Sequence, residues 1–301
     1  VNLAHVAHAA AGCSTADLAT FRNRGFFTGP LIAAVVLNVA VTALQIGAYA
    51  GRIAGVRTGR IGTSISLFNF FTLAARLANL VVTPALGSLA DGAAAYATCT
   101  GTIPVRFELQ LRAIVAAGAV GAVVGTLLLP TFILLFMRGV YAFERRGSML
   151  QAALRLFDPR VLVDVARSVK LPPLGELRTF RPTNLPLKLL AGNVAVTGVY
   201  AVGVVASFYG SVIDLDARTT ATGLSGLVNG LGTVAFSFFV DPTTAYITDQ
   251  AVKGERSPED VRTMVFWLAV TAILGWILSQ LILIPSAYFI AAGAHVFHPH
   301  A

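Results

Sequence analysis

The chain has 301 residues, of which 56% are hydrophobic and only 12% charged, and its mean hydropathy is +0.75. That balance excludes a soluble globular domain and points to an integral membrane protein. A net charge of +8 would suit nucleic acid, but sixteen of the 22 Lys and Arg fall in the stretches 51–60, 138–188 and 241–262. These border apolar runs, so membrane topology explains them and no nucleic-acid partner is expected.

A helix needs about 20 residues to cross ~30 Å of hydrocarbon. Six continuous apolar runs qualify, at 31–50, 61–83, 111–137, 187–212, 219–240 and 264–292. They lack the two-residue alternation of a barrel strand. The expected fold is therefore an all-α integral membrane protein with six transmembrane helices. The three basic stretches share one side, which makes the middle loop cytoplasmic and both termini extracytoplasmic; Arg22 and Arg24 run against this.

Residues 1–30 have no basic n-region or long apolar core, so they read as a lead-in rather than a signal peptide. Cys13 and Cys99 have no metal or redox spacing. On this topology both lie outside, where a disulfide or two free thiols are equally admissible.

The first span carries Asn38, Thr42 and Gln45 at helical spacing, followed by Gly47, Gly51 and Gly55 at intervals that permit close helix approach. Next come Arg52, Arg57 and Arg60, then a run holding Asn69, Thr72, Arg76, Asn79 and Thr83. Spacings of three and four place those five on one helix face, which lipid would not tolerate. An arginine in mid-span costs about 2.5 to 3.5 kcal/mol on insertion scales. Arg76 therefore either snorkels or binds an anion in a wet groove, since a guanidinium pairs with phosphate oxygens. The third span has Gly121 and Gly125, with a kink expected at Pro130. Residues 138–186 read as a basic amphipathic segment on the anionic inner leaflet, with Met149, Leu150, Ala153, Leu154 and Phe157 among arginines.

The string NVAVT occurs at Asn38–Thr42 and again at Asn193–Thr197. Asn69 and Pro84 have counterparts in Asn229 and Pro242, and Arg112, Val115 and Gly125 in Arg262, Val265 and Gly275. These collinear landmarks suggest two three-helix halves, 31–137 and 187–292, with a tail at 293–301. An odd number of spans per half would make the repeat inverted, as in transporters that alternate access. The helix 219–242 would then face the stripe of the second span.

The candidate substrate-binding residues are Arg52, Arg57, Arg60, Arg76, Asn38, Asn69, Asn79 and Asn229, with Asp241 and Asp249 as possible titrating groups. No metal or cofactor is expected. Gly223-Leu224-Ser225-Gly226 resembles the nucleophile string of a rhomboid protease, but all five histidines lie near the termini, so a serine would lack its base. There is no phosphate-binding GxxxxGK[ST] loop, and an enzyme is not expected.

The stretch RIAGVRTGRIGTSISLFNFFTLAARLANL resembles the signature region of the Amj family of bacterial lipid II flippases. The segments LLAGNVAVTGVYAVGVVASFYG and TTATGLSGLVNGLGTVAFSFFVDP and the last span resemble corresponding parts of that family, over about 31–290. The resemblance implies a plasma-membrane protein that moves lipid II, the undecaprenyl-diphosphate-linked disaccharide-peptide, from the inner to the outer leaflet. Membrane lipids and further copies of the chain are the other partners considered. A secondary transporter of another anion and a non-transporting scaffold of the cell-wall machinery are the alternatives.

Overall fold

A computed structural model of the protein describes residue 19 and residues 21–23, 25–147 and 185–297. Most of the expected amphipathic segment, and Cys13, lie outside the described residues. The first half contains α1 (Gly29–Ala48), α2 (Ala50–Thr58), α3 (Ile61–Thr100), α4 (Val105–Leu127) and α5 (Leu129–Arg146). The second contains α6 (Leu187–Ile213), α7 (Arg218–Phe239), α8 (Asp241–Val252) and α9 (Pro258–Phe297). No strand occurs among the described residues.

Local chemistry sets the helix ends. Thr28 caps α1 through its hydroxyl, which accepts from Leu31 N at 3.4 Å, and Pro30 sits in the first turn, where its missing N–H does no harm. α3 stops at Gly101, whose φ of 68° suits a residue without a β-carbon. Among the described residues six units are long and apolar enough to cross a membrane. They are Gly29–Thr58, Ile61–Thr100, Val105–Leu127, Leu187–Ile213, Arg218–Val252 and Pro258–Phe297.

One boundary differs from the sequence reading. The run 111–137 is not one kinked span, because the helix breaks at Leu128 and Pro130 opens the new helix α5. Proline is tolerated in a first turn but not inside a hydrogen-bonded ladder. Helix α5 is amphipathic: Ile133, Phe136 and Val140 are buried while Arg138, Tyr141 and Arg145 are exposed. Pro242 opens α8 in the same way, whereas Pro84 lies inside unbroken α3.

Helices α1 and α6 pack along α4 and α9 respectively, and α4 packs along α9 to join the halves. Glycine permits these approaches. A β-carbon on Gly121 would lie 2.5 Å from Val39 O and 3.0 Å from Thr42 Cβ. One on Gly275 would lie 2.9 Å from Val194 O and 2.7 Å from Thr197 Cβ. Asn38 Nδ2 donates to Ile114 O at 2.7 Å, and Asn193 Nδ2 to Leu268 O at 2.9 Å, carbonyls 76 and 75 residues ahead. Gly121 and Gly275 thus each approach the Val and the Thr of an NVAVT string.

Between the halves, Gly118 lets the Trp276 ring lie against α4. Arg112 Nη1 donates to Gln280 O while Gln280 Nε2 donates to Arg112 O, both at 2.9 Å. Gly47 and Gly51 face the Phe132 and Phe136 rings of α5, so the small-residue series does allow close approach, though of side chains.

Candidate functional site

Three cavities follow one another along α3. The first is a cleft of about 250 Å³ among α2, α3 and α8, lined by Arg52, Phe68, Asn69 and Asp241. Phe68 also lines a chamber of about 100 Å³, with Thr42 and Gln45 of α1, Tyr49 at the α1–α2 junction and Thr72 of α3. Its opposite wall comes from the second half: Thr197 and Tyr200 of α6, Thr233 and Phe236 of α7, and Trp276 of α9. Thr42, Gln45, Tyr200 and Trp276 extend into a recess of about 30 Å³ that Asn38 and Asn79 also line. Asn69, Thr72 and Asn79, read from sequence as one helix face, thus line the three cavities in order.

The cleft holds the charge. Arg52 is 8% exposed and its Nη2 donates to Asp241 Oδ1 at 2.7 Å. Its guanidinium lies 5.4 Å from the centre of the Phe68 ring, and its Nε is buried without a hydrogen-bond partner. Among the described side chains none that lines the chamber is charged, and its Thr42 Oγ1 is buried and unpartnered. At the far end of the helices Asp91 of α3 pairs with Arg218 of α7, and His295 Nδ1 lies 2.7 Å from Asp214 Oδ2.

A separate cavity of about 370 Å³ lies under the lead-in, lined by Phe21, Thr28, Arg106 and Gln110. Arg106 Nη2 donates to Phe21 O at 2.7 Å with its guanidinium 3.9 Å from that ring's centre, and Gln110 Nε2 donates to Phe26 O at 2.8 Å. Cys99, at the end of α3, is disulfide-bonded. These contacts tie Phe21 and Phe26 to α4.

A family model described as Amj, Alternate to MurJ, matches residues 37–294. The chain belongs to the Amj family. A relative from Bacillus subtilis (strain 168), Lipid II flippase Amj, is 31% identical over 252 residues, which cover 83% of this chain and 91% of the relative. No solved structure matches the chain.

With the family in hand, the candidate residues divide. Arg52, Asn69 and Asp241 meet in the cleft, and Asn38 and Asn79 in the recess. The three loop arginines do not form one cluster: Arg52 turns to the second half, Arg60 pairs with Glu144 of α5, and Arg57 is exposed. Arg76 lies on α3 between Thr72 and Asn79, and its side chain is outside the described set. Asn229 is not in the chamber lining; Gly232, Thr233 and Phe236, three, four and seven residues on, take that face of α7. Asn229 packs beside Gly203 of α6, with its Oδ1 unpartnered. Asp249 is exposed and pairs with Lys253 at 2.7 Å, and its hydrogen bond and charge push the Lys253 ammonium up. No group of acidic, His or Cys side chains suited to a metal occurs among the described residues.

The aromatic walls, Tyr49, Tyr200, Phe236 and Trp276, were not singled out from sequence. An aromatic in an apolar run gives no sign of whether it faces lipid or a cavity. The recurrence of a threonine at the end of both NVAVT strings was the available signal, since Thr42 and Thr197 both reach the chamber.

Proposed function

We propose that this protein is a lipid II flippase of the bacterial plasma membrane, carrying the undecaprenyl-diphosphate-linked precursor from the inner to the outer leaflet. It makes no covalent change to its substrate and hydrolyses no nucleotide. The observation that carries the reading is the run of cavities along one face of α3, in a chain that shares 31% identity with a protein of that name. The cleft supplies an arginine for the diphosphate, with Arg57 and Arg60 at its approach and Arg76 further along the stripe. The polyprenyl tail stays in lipid, against exposed apolar positions of α3 and α7 such as Leu73, Leu77, Leu227 and Leu231.

The two halves act as an inverted repeat, with both termini extracytoplasmic. Supporting this, Asn38 and Asn193 make the same kind of bond to the third span of their half, and Gly121 and Gly275 meet the same Val and Thr of each NVAVT string. Access alternates as the halves rock about the α4–α9 contact. An inside-negative potential favours outward movement of the anionic headgroup.

The test is surface exposure of lipid II in bacterial cells depleted of their other lipid II flippase. Expression of this protein should restore exposure. Arg76→Ala and Arg52→Ala should each lower it at least tenfold with protein levels unchanged. Failure of the unaltered protein sinks the flippase reading, and full activity of both variants sinks the arginine assignment alone.

A further inference from the structure

The cleft and the chamber differ in chemistry although they share the Phe68 wall. The cleft is lined by a cation and a carboxylate. The chamber offers the hydroxyls of Thr42, Thr72, Thr197 and Thr233 and the amide of Gln45, beside the rings of Tyr200 and Trp276. Such a lining fits poorly to a phosphate, which needs positive charge. It fits well to a neutral group that carries hydroxyls and an amide on a ring with apolar faces. Neutral side-chain donors and acceptors orient hydroxyls, and flat rings cover the C–H faces.

From this we infer that the chamber is a sugar subsite, which holds an N-acetylhexosamine ring of the headgroup while the diphosphate lies in the Arg52 cleft. The inference rests on the flippase reading above and adds to it the part of the substrate that the arginines do not recognise. Thr42 gives it a second, independent support. The residue is 1% exposed, lines both chamber and recess, and its Oγ1 has no partner. A buried hydroxyl left without a bond is destabilising, so an incoming partner is favoured there.

Size defines the state. At about 100 Å³ the chamber is small for a hexose ring, so the ring enters as the halves part. Because its two walls come from different halves, a small separation enlarges it. Asn79 in the recess lies seven residues beyond Thr72, about 10 Å along α3, and would meet the next group of the headgroup.

The experiment uses the full chain in nanodiscs with Trp267→Phe, which leaves Trp276 as the single tryptophan of the two in the chain. Two probes are titrated: a short-chain polyprenyl diphosphate, and the same lipid bearing one N-acetylhexosaminyl group. The sugar-bearing probe should bind about fivefold more tightly and change Trp276 emission, while the bare diphosphate should not change it. Gln45→Leu on one wall and Thr233→Val on the other should each weaken the sugar-bearing probe about fivefold and leave the bare diphosphate unchanged. Equal affinity of the unaltered protein for both probes, or equal weakening of both by the two variants, overturns the subsite. Discrimination between the probes without any translocation in vesicles would overturn the flippase reading and leave the subsite standing.

Discussion

Arg52 of α2 and Asp241 of α8 are 189 residues apart and join through a 2.7 Å hydrogen bond that ties the two halves together at the cleft. The arginine side chain is 9% exposed and the aspartate 37%, so the pair is only partly removed from water. A double-mutant cycle with Arg52→Ala and Asp241→Ala, followed by thermal unfolding in detergent, should return a coupling of about 1 to 2 kcal/mol. A value near zero would mean that the pair contributes nothing to holding the halves.

Gly121 and Gly275 each meet a backbone carbonyl where a β-carbon would be forced within 3 Å. Gly121→Ala and Gly275→Ala should each destabilise the protein by about 1 to 3 kcal/mol through overpacking. Gly226→Ala on α7, where nothing lies within 4 Å, should be neutral or stabilising by up to ~1 kcal/mol. Chemical denaturation in mixed micelles ranks the three, and equal effects would contradict the helix contacts described.

Asn193 and Asn69 should separate stability from binding. Asn193 is fully buried, and its Nδ2 donates to Leu268 O at 2.9 Å and Thr271 Oγ1 at 2.8 Å. Asn193→Leu should lower stability by about 1 to 2 kcal/mol, as for other hydrogen bonds between membrane helices. Asn69 is exposed at the cleft, so Asn69→Ala should weaken binding of a prenyl diphosphate and leave unfolding unchanged. Nanodisc titration and unfolding of both variants provide the check.

The charge distribution predicts a sidedness that introduced cysteines can test. In a Cys13→Ser, Cys99→Ser background, Asp216→Cys between α6 and α7 should react with a membrane-impermeant thiol reagent in intact cells. Arg57→Cys at the end of α2 should react only after permeabilisation. The reverse pattern would invert the topology. With the native cysteines present, reduction should shift gel mobility, because Cys99 is disulfide-bonded.

The number and order of the spans were legible in the sequence because hydropathy is local, and a run of some 20 apolar residues has few other solutions in lipid. The face of α3 was legible for the same reason: its 3.6-residue period is carried by neighbours in the chain. What failed depended on partners. Arg52, Arg57 and Arg60 read as one basic cluster, but Arg52 pairs with Asp241, Arg60 with Glu144, and Arg57 is exposed. Pro130 read as a kink because nothing in its surroundings says whether a helix bends there or begins anew.

By itself the sequence determined that this chain spans a membrane, that one helix carries a polar stripe lipid would not accept, and that its arginines lie beside that stripe. Only the tertiary structure decided what the stripe faces: an ion-paired cleft, then a chamber of hydroxyls and aromatic rings walled by α6, α7 and α9, then a recess at Asn79. The physical reason is that periodicity fixes which residues share a side of one helix, whereas a cavity belongs to no single helix. Its far wall comes from residues more than a hundred positions away, and no local rule selects them.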